Sequence, residues 1–309
     1  MSKIMTMRQA IAEHVPDGTS LALGLQMEQM IPFAAGHEIM RQKRRGLRLI
    51  GPISDILFDQ MIGAGCVKDV VAAWVGNVMM GSAYNFRRGT EVENPGTPGE
   101  KLHVFNMTNF TLALALQAGA MGVPFLPTRS AMGSDVPKGN HFFYQIISPF
   151  EPKETLLAVR ALAPDVAIVH LQRADKHGNA HCWGNFGVML ESVRAAKKVI
   201  VCAEEIVSEE EIASDPNRTV IPGFLVTAVV ECPFGAHPSP VQGYYKRDDD
   251  FFQQYHAETK TQGDFDAWSR SWVTGVADRT EYAAQLGKSR VEDLGVKQHA
   301  YAVKTDYGY

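Results

Sequence analysis

The segment at residues 161–187 constrains the fold of this chain more than any other. Its apolar run, residues 166–171, stops abruptly at a turn that is rich in Gly, Asn, His and Asp. A buried strand that empties into a polar, glycine-containing loop is typical of α/β proteins, whose ligands gather at the carboxyl ends of parallel strands. The segment therefore predicts an enzyme of the α/β class.

The same pattern recurs along the chain. Apolar runs predict strands at residues 20–25, 47–50, 69–75, 103–106, 124–127, 166–171 and 198–203. Periodicity and end signals predict helices over residues 5–14, 32–42, 54–62, 111–120, 152–162 and 188–196, and an exposed loop over 87–98. Strands that alternate with helices form βαβ units. We therefore expect an α/β fold with an open, mostly parallel sheet and flanking helices.

Composition narrows the class of partner. The net charge of −4 lacks the basic excess of a nucleic-acid-binding protein, so we expect no nucleic acid. The N-terminal residues lack the apolar core of a signal peptide. Four scattered cysteines in mostly apolar surroundings predict reduced, buried thiols and a cytoplasmic protein.

One uncharged segment, residues 104–128, is long enough to span a bilayer. It contains polar and helix-breaking residues, among them Asn106, Asn109, Gln117, Pro124 and Pro127. These groups are costly in hydrocarbon. We therefore expect a turn, a buried helix and a strand here, and no membrane insertion.

Common cofactor motifs are missing, since the chain contains no Walker A sequence, no G-x-S-x-G and no G-x-G-x-x-G that opens a helix. His177 and His181 have metal-ligand spacing only if they lie on a helix. Gly178 and Asn179 between them favour a turn instead. We therefore expect these imidazoles to bond to the backbone, and we expect no metal.

Small and polar residues follow two of the predicted strands. Gly76 and Asn77 directly follow one strand, and Gly81 and Ser82 come shortly after. Such residues let a ligand approach the backbone closely, although a plain turn explains them equally well. Asn109 precedes a predicted helix, where its side chain either caps the helix or directs an amide donor at a developing oxyanion.

Three carboxylates stand at or near predicted strand ends, namely Glu204, Glu205 and Glu231. A carboxylate in this position can act as a nucleophile or a base. Ion pairs or solvated faces are the simpler interpretation, and we favour it.

Five blocks together resemble the A (alpha) subunit of the class I CoA-transferases, especially the glutaconate CoA-transferase type. They read GPISDILFDQMIGAG, WVGNVMMGSAYNFRR, NFTLALALQAGAMGVPFLPT and HLQRADKHGNAHCWG, followed by residues 195–245 with SDPNRTVIPGF and PFGAHPSPVQGYY. The resemblance covers residues 5–250. It implies a CoA-transferase A-subunit domain over residues 1–250, with a peripheral helical extension, residues 251–309, packed on it.

The resemblance also implies a reaction and a partner. CoA moves from an acyl-CoA to a free carboxylic acid through an enzyme-bound glutamyl-CoA thioester. In two-subunit relatives the glutamate lies on the B subunit, so we expect no nucleophile in this chain. The expected assembly is an A2B2 heterotetramer. CoA thioester enters as substrate, and no other cofactor is expected.

The resemblance implies that this chain forms walls of the substrate pocket and stabilises the oxyanion. Asn109 falls where relatives place an amide side chain that supports the oxyanion. The expected substrate-binding residues lie at or after the ends of two of the strands: Gly24, Gln26, Gly76, Asn77, Gly81 and Ser82. Relatives usually carry Gly-Gly-Phe after the first strand, and this chain retains only Gly24 of the two glycines. They often carry an acidic residue where Asn106 stands.

The nature of the acyl group stays open. Met27 and Met30 would line an apolar pocket for a longer or cyclic group, whereas Arg87, Arg88 or Arg129 would hold a dicarboxylate. Two other functions also remain open. Related A/B pairs hydrolyse, ring-open or decarboxylate acyl-CoA substrates, and a non-catalytic protein that only binds acyl-CoA would keep the same fold.

Overall fold

The computed structural model describes residues 2–296, which fold into two sheets and flanking helices. The strands are β1 (Ser20–Ala22), β2 (Leu47–Ile53), β3 (Val67–Trp74), β4 (His103–Asn106), β5 (Phe125–Thr128), β6 (Phe143–Ile147), β7 (Thr155–Arg160), β8 (Val166–Ala174), β9 (Ala180–His181), β10 (Lys198–Ile206), β11 (Thr219–Ile221) and β12 (Ala228–Glu231). The helices are α1 (Met7–His14), α2 (Phe33–Arg41), α3 (Asp55–Gly63), α4 (Tyr84–Glu91), α5 (Asn109–Met121), α6 (Met189–Ala195), α7 (Glu209–Ser214), α8 (Asp249–Glu258), α9 (Gln262–Ser269), α10 (Arg279–Leu286) and α11 (Lys288–Leu294).

The larger sheet is mostly parallel, as the alternation predicts. Its parallel strands run in the order β12-β10-β8-β1-β2-β3-β4, and β9 and β11 add antiparallel pairs beyond the end of β8. The chain builds outward from β1 to β4 and then returns to the other side of β1 with β8. The strand order reverses between β1 and β8, and such a switch point is where open α/β sheets bind ligands.

The central strands β8 and β10 are buried on both faces of the sheet. All but one of the residues of β8 are buried, and its sequence VAIVHLQRA begins with a continuous apolar run rather than an alternation. Strands of parallel sheets have this composition because neither face meets water. The parallel register continues from β8 to β10, where Val199 lies opposite Ala167 and Cys202 lies opposite His170.

A second sheet corrects two predictions. The predicted helix over residues 152–162 is wrong, because β7 lies there and pairs with both β5 and β6. Leu157, Ala158 and Val159 of β7 are buried between the two neighbours, so packing overrides their helical propensity. The predicted strand over 124–127 exists as β5, but it belongs to this antiparallel sheet rather than to the parallel one.

The predicted loop over 87–98 is also partly wrong, because its first residues continue α4. No side chain within α4 or next to it caps its N-terminus. Instead, the buried carboxylate of Asp59 on α3 accepts a hydrogen bond from the Phe86 backbone N–H at 2.7 Å. A cap supplied from another helix leaves no local signal in the sequence.

Helices α8 to α11 follow residue 248 and form the described part of the predicted C-terminal extension. Residues 297–309 of that extension lie outside the described residues. Their aromatic side chains join the main hydrophobic core, among them Phe251, Phe252, Phe265, Trp268 and Tyr282. Within residues 2–296 we find no helix long and apolar enough to cross a membrane. The domain boundary at residue 250 stays a prediction.

Candidate active site

The loops that follow β1, β2 and β3 meet at one edge of the parallel sheet, where β4 also ends. Ser54, directly after β2, donates a hydrogen bond from its hydroxyl to the Leu23 carbonyl after β1 at 3.1 Å. Asp55, the next residue, accepts one from the Val78 N–H after β3 at 3.1 Å. Adjacent strands lie about 4.8 Å apart, so the ends of β1 to β4 span roughly 14 Å. This edge suits an extended substrate that contacts several loops.

Gly24 occupies a position that only glycine fits. Its φ of +66° lies in the left-handed region, and a Cβ there would stand 2.3 Å from Ser54 Oγ and 2.9 Å from Ser54 Cα. Side chains other than that of glycine are disfavoured by both the backbone angle and the close approach. The single glycine retained after β1 is therefore required by the fold itself.

Gln26 and the two methionines follow Gly24 in the same loop. Gln26 and Met30 are each 1% exposed, and the Gln26 amide lies 3.6 Å from Met30 Sδ and 3.5 Å from Cys182 Sγ. Met27 is partly exposed. Within this chain Gln26 and Met30 thus pack in the interior, and Met27 is the side chain of the three with access to solvent.

Gly76, Asn77, Gly81 and Ser82 form one compact turn after β3. Asn77 is fully buried, and its Oδ1 accepts hydrogen bonds from the N–H groups of Met79 and Met80. Its Nδ2 donates to the Phe252 carbonyl at 2.9 Å. Gly81 is exposed, and Ser82 is partly exposed. The hydrogen bonds of Asn77 therefore stabilise the turn, while Gly81 and Ser82 are accessible to solvent.

Asn109 begins α5 at the end of β4 but does not cap it, which corrects one of the two interpretations of this residue. Thr108 is the N-cap, since its hydroxyl accepts the Thr111 N–H at 3.0 Å and Thr111 Oγ1 accepts the Thr108 N–H at 2.9 Å. Asn109 is exposed, and its amide has no hydrogen-bond partner within residues 2–296. The amide therefore stays available, beside the positive end of a helix, for an anionic group.

Asp55 and Arg247 are site-edge residues that sequence reasoning missed. Arg247 Nη2 lies 2.7 Å from Asp55 Oδ2, and both side chains are at most 4% exposed. Burial raises the pKa of Asp55 to about 6, against the lowering effect of Arg247. The pair joins positions 192 residues apart, and no local pattern signals a contact at such a separation.

Two of the three strand-end glutamates, Glu204 and Glu205, have partners within the protein. Glu204 is buried, and its carboxylate accepts hydrogen bonds from the Tyr245 hydroxyl at 2.6 Å and the Phe234 N–H at 2.7 Å. His170 Nε2 lies 2.6 Å from the same carboxylate. Glu205 pairs with Arg173 at 3.0 Å. Glu205 matches the ion-pair interpretation, whereas Glu204 lies in a buried hydrogen-bonded cluster with Tyr245 and His170. Glu231 is exposed, as a solvated carboxylate would be.

The two histidines with metal-like spacing point to different partners. His181 Nε2 lies 3.0 Å from the Ile212 carbonyl, and His177 Nε2 lies 3.1 Å from Glu209 Oε1. The backbone bond predicted for these residues is thus found for His181. His177 pairs with a side chain, because α7 brings Glu209 beside the loop.

The candidate arginines are occupied by protein groups. Arg87 pairs with Glu91 at 3.3 Å, and Arg129 pairs with Glu154 at 2.7 Å while 74% of its side chain stays exposed. Arg88 donates to the Lys260 carbonyl at 2.6 Å. Each guanidinium would have to exchange these contacts for a substrate carboxylate.

All four cysteines are buried free thiols, as predicted. Burial raises the pKa of Cys66 and of Cys232 to about 12, and it raises those of Cys182 and Cys202 as well. We therefore expect no thiol to react with Ellman's reagent at pH 8 in the folded protein, and all four to react in 6 M guanidinium, since the thiolate is the reactive form. Rapid labelling of any cysteine without denaturant would contradict this burial.

Comparison with known proteins agrees with this geometry. The family model described as coenzyme A transferase matches residues 4–232. The chain is 36% identical to the A component of 3-oxoadipate CoA-transferase of Pseudomonas knackmussii, over 94% of this chain and 100% of that one. It is 36% identical to the A component of glutaconate CoA-transferase of Acidaminococcus fermentans, over 96% of this chain and 95% of that one.

The fold agrees as well. The crystal structure of glutaconate coenzyme A-transferase from Acidaminococcus fermentans superposes with a TM-score of 0.88 at 36% identity, covering 96% of each chain. An open parallel sheet with its polar loops at one edge, matched over nearly its whole length, defines the class of protein. The chain belongs to the coenzyme A transferase family.

Proposed function

We propose that this chain is the A (alpha) component of a heteromeric CoA-transferase, which moves CoA from an acyl-CoA to a carboxylic acid. The observation that carries the proposal is the match to the A components of two CoA-transferases over nearly the whole of each chain. The loops of the candidate active site supply the physical counterpart. Backbone, small side chains and the amide of Asn109 stand there at the ends of neighbouring strands.

In this proposal the nucleophile is a glutamate of the B subunit. Its carboxylate attacks the thioester carbonyl, expels CoA as a thiolate and forms a mixed anhydride. The thiolate then attacks the glutamyl carbonyl and releases the first acid, which leaves a glutamyl-CoA thioester. The acceptor carboxylate reverses the two steps and departs as the new thioester. Asn109 would donate its amide N–H to the oxyanion that forms at each attack.

We further propose that the acyl group is dicarboxylic. The two relatives are named for 3-oxoadipate and glutaconate, which are both dicarboxylic acids. Arg87 and Arg129 hold Glu91 and Glu154 through exposed ion pairs. Exposed pairs of this kind contribute little free energy, so a second carboxylate can replace the glutamate at small cost.

The assembly belongs to the same proposal. We propose an A2B2 heterotetramer in the cytoplasm, with CoA thioester as substrate and no other cofactor. Four buried free thiols fit a reducing compartment. Helix α5 carries no charged residue and exposes Phe110 and Met121 as well as Asn109, so its outer face is suited to contact with the B subunit.

The test is to co-express this chain with a B subunit, purify the complex and incubate it with glutaryl-CoA, 3-oxoadipyl-CoA or butyryl-CoA, each with and without acetate. We expect acetyl-CoA to form only when acetate is present, with the dicarboxylic thioesters preferred. Free CoA or carbon dioxide released without an acceptor would assign hydrolysis or decarboxylation instead. Binding of all thioesters without turnover would indicate a non-catalytic protein.

A further inference from the structure

We propose that Arg247 is a positioning residue for CoA transfer, because it holds together the loops that follow β1, β2 and β3. This inference rests on the proposed function, since those loops form the candidate active site. Arg247 lies beyond residue 232, where the match to the family model ends. Its side chain is only 4% exposed and contacts three carboxylates from different segments.

The contacts of Arg247 link the loops one by one. Nη1 lies 3.2 Å from Glu28 Oε2, in the loop after β1, and Nη2 lies 2.7 Å from Asp55 Oδ2, at the start of α3. The other oxygen of Asp55 accepts the Val78 N–H, in the loop after β3. Nε lies 3.1 Å from Asp249 Oδ1, which fixes the guanidinium to α8. The Arg247 guanidinium thereby connects the loops after β1 and β2 to α8 directly, and it connects the loop after β3 through Asp55.

The backbone conformation of these loops indicates that contacts from outside the loops stabilise them. Met27, Met30 and Asp55 all have positive φ values, of 63°, 49° and 46°. Such backbone costs about 1–3 kcal/mol per residue and persists only where the surroundings hold it. The loops after β1 and β2 are therefore strained, and the Arg247 contacts to Glu28 and Asp55 are among the interactions that hold them.

The aromatic ring of Phe252 adds a further contact to Arg247. The Arg247 guanidinium carbon lies 4.0 Å from the centroid of that ring, and the Phe252 carbonyl accepts the hydrogen bond from Asn77 Nδ2. The start of α8 thus contacts the turn after β3 as well. A fork-shaped guanidinium that both stacks and binds carboxylates cannot be replaced by lysine without loss of contacts.

The chain offers a control arginine at the opposite end of the same strands. Arg48 on β2 binds Asp69 on β3 with Nη2 3.0 Å from Oδ2, near the amino ends of both strands. Its guanidinium also lies over an aromatic ring, 5.3 Å from the centroid of Phe105. Arg48→Met therefore removes an arginine–carboxylate pair away from the candidate active site, and this pair is less buried, since the Arg48 side chain is 38% exposed and that of Arg247 is 4% exposed.

We expect Arg247→Met in the A–B complex to lower kcat/KM at least about tenfold, since small misplacements of site groups cost up to about 10²-fold in rate. The fall is expected in kcat at saturating acyl-CoA, and Arg247→Lys should recover part of it. Arg48→Met should lower the melting temperature but leave kcat/KM within about twofold of the parent. Equal losses of activity in the two methionine variants, once corrected for folded fraction, would overturn the proposal.

A pH profile separates positioning from stability. Asp55 faces Arg247 and Glu28 and accepts the Val78 N–H, and burial raises its pKa to about 6. Protonation below this pH removes the charge that holds Arg247, so kcat/KM should fall toward acid with a midpoint near that pKa. Loss of Arg247 removes a cation that lowers the pKa of Asp55, so the midpoint should move to higher pH in Arg247→Met. An unchanged midpoint would contradict the role.

Hydrogen exchange tests, independently of activity, whether Arg247 stabilises these loops. Amides of residues 24–30 and 76–82 should exchange faster in Arg247→Met than in Arg48→Met. If the parent complex transfers no CoA, the proposed function fails, while faster exchange in Arg247→Met would still show that Arg247 stabilises the loops. If the parent is active and exchange in both loops is unchanged, the proposed role of Arg247 fails alone.

Discussion

Asn109→Ala is expected to lower kcat by about 10²-fold or more in the A–B complex, with little change in the melting temperature. Removing one oxyanion donor typically costs about 10²–10³-fold in kcat. The side chain is exposed and bonds to no group within residues 2–296, so its loss breaks no described contact. Steady-state kinetics with a saturating acyl-CoA and acetate measure the effect.

The control for this variant is the neighbouring residue. Thr108→Ala removes the N-cap of α5 and should cost about 1 kcal/mol of stability. It leaves the Asn109 amide in place, so kcat should change far less than in Asn109→Ala. A kcat within about twofold of the parent for Asn109→Ala would reduce Asn109 to a surface residue, since capping is done by Thr108.

Gly24→Ala is expected to lower the free energy of unfolding by about 3 kcal/mol, because two costs add. The left-handed backbone costs a non-glycine residue about 1–2 kcal/mol, and overpacking adds about 1–3 kcal/mol. The overpacking arises because the new Cβ would lie 2.9 Å from the Ser54 Cα, which is backbone and cannot rotate away. Urea denaturation followed by tryptophan fluorescence measures the difference.

Gly81→Ala separates the two costs. Gly81 has a φ of +83°, also left-handed, but nothing lies within 4 Å of the position of its Cβ. We expect this variant to lose only the backbone cost, about 1–2 kcal/mol. Equal stability of the two alanine variants would show that the contact between Gly24 and Ser54 does not restrict the loop.

Most of the parallel sheet could be predicted from the sequence because its strands are short apolar runs, a pattern that is recognisable within a few neighbouring residues. The second sheet could not. Residues 152–162 contain good helix formers, and only the pairing of β7 with β5 and β6 makes them a strand. Helix α4 was missed for a related reason, since Asp59 bonds its first turn from another helix.

The candidate active site was predictable where it depends on local backbone and only there. The turn from Gly76 to Gly81 stands directly after a predicted strand, so its position followed from the alternation. The strand predicted over 20–25 is too long, because β1 ends at Ala22 and Gly24 already lies in the loop. The alternation did not predict Arg247 and Asp55, because their contact joins residues 192 positions apart. The resemblance supplied the role of Asn109, and the structure removed the competing assignment by placing the cap at Thr108.

The most direct test of the central claim is a mixing experiment in which this chain and its B subunit are purified separately. The two proteins, singly and as an equimolar mixture, are incubated with a dicarboxylic acyl-CoA and isotopically labelled acetate, and labelled acetyl-CoA is measured over time. The account predicts labelled acetyl-CoA from the mixture alone, in amounts equal to the dicarboxylic acid released. Thioester loss without labelled acetyl-CoA, or transfer by this chain alone, would contradict it.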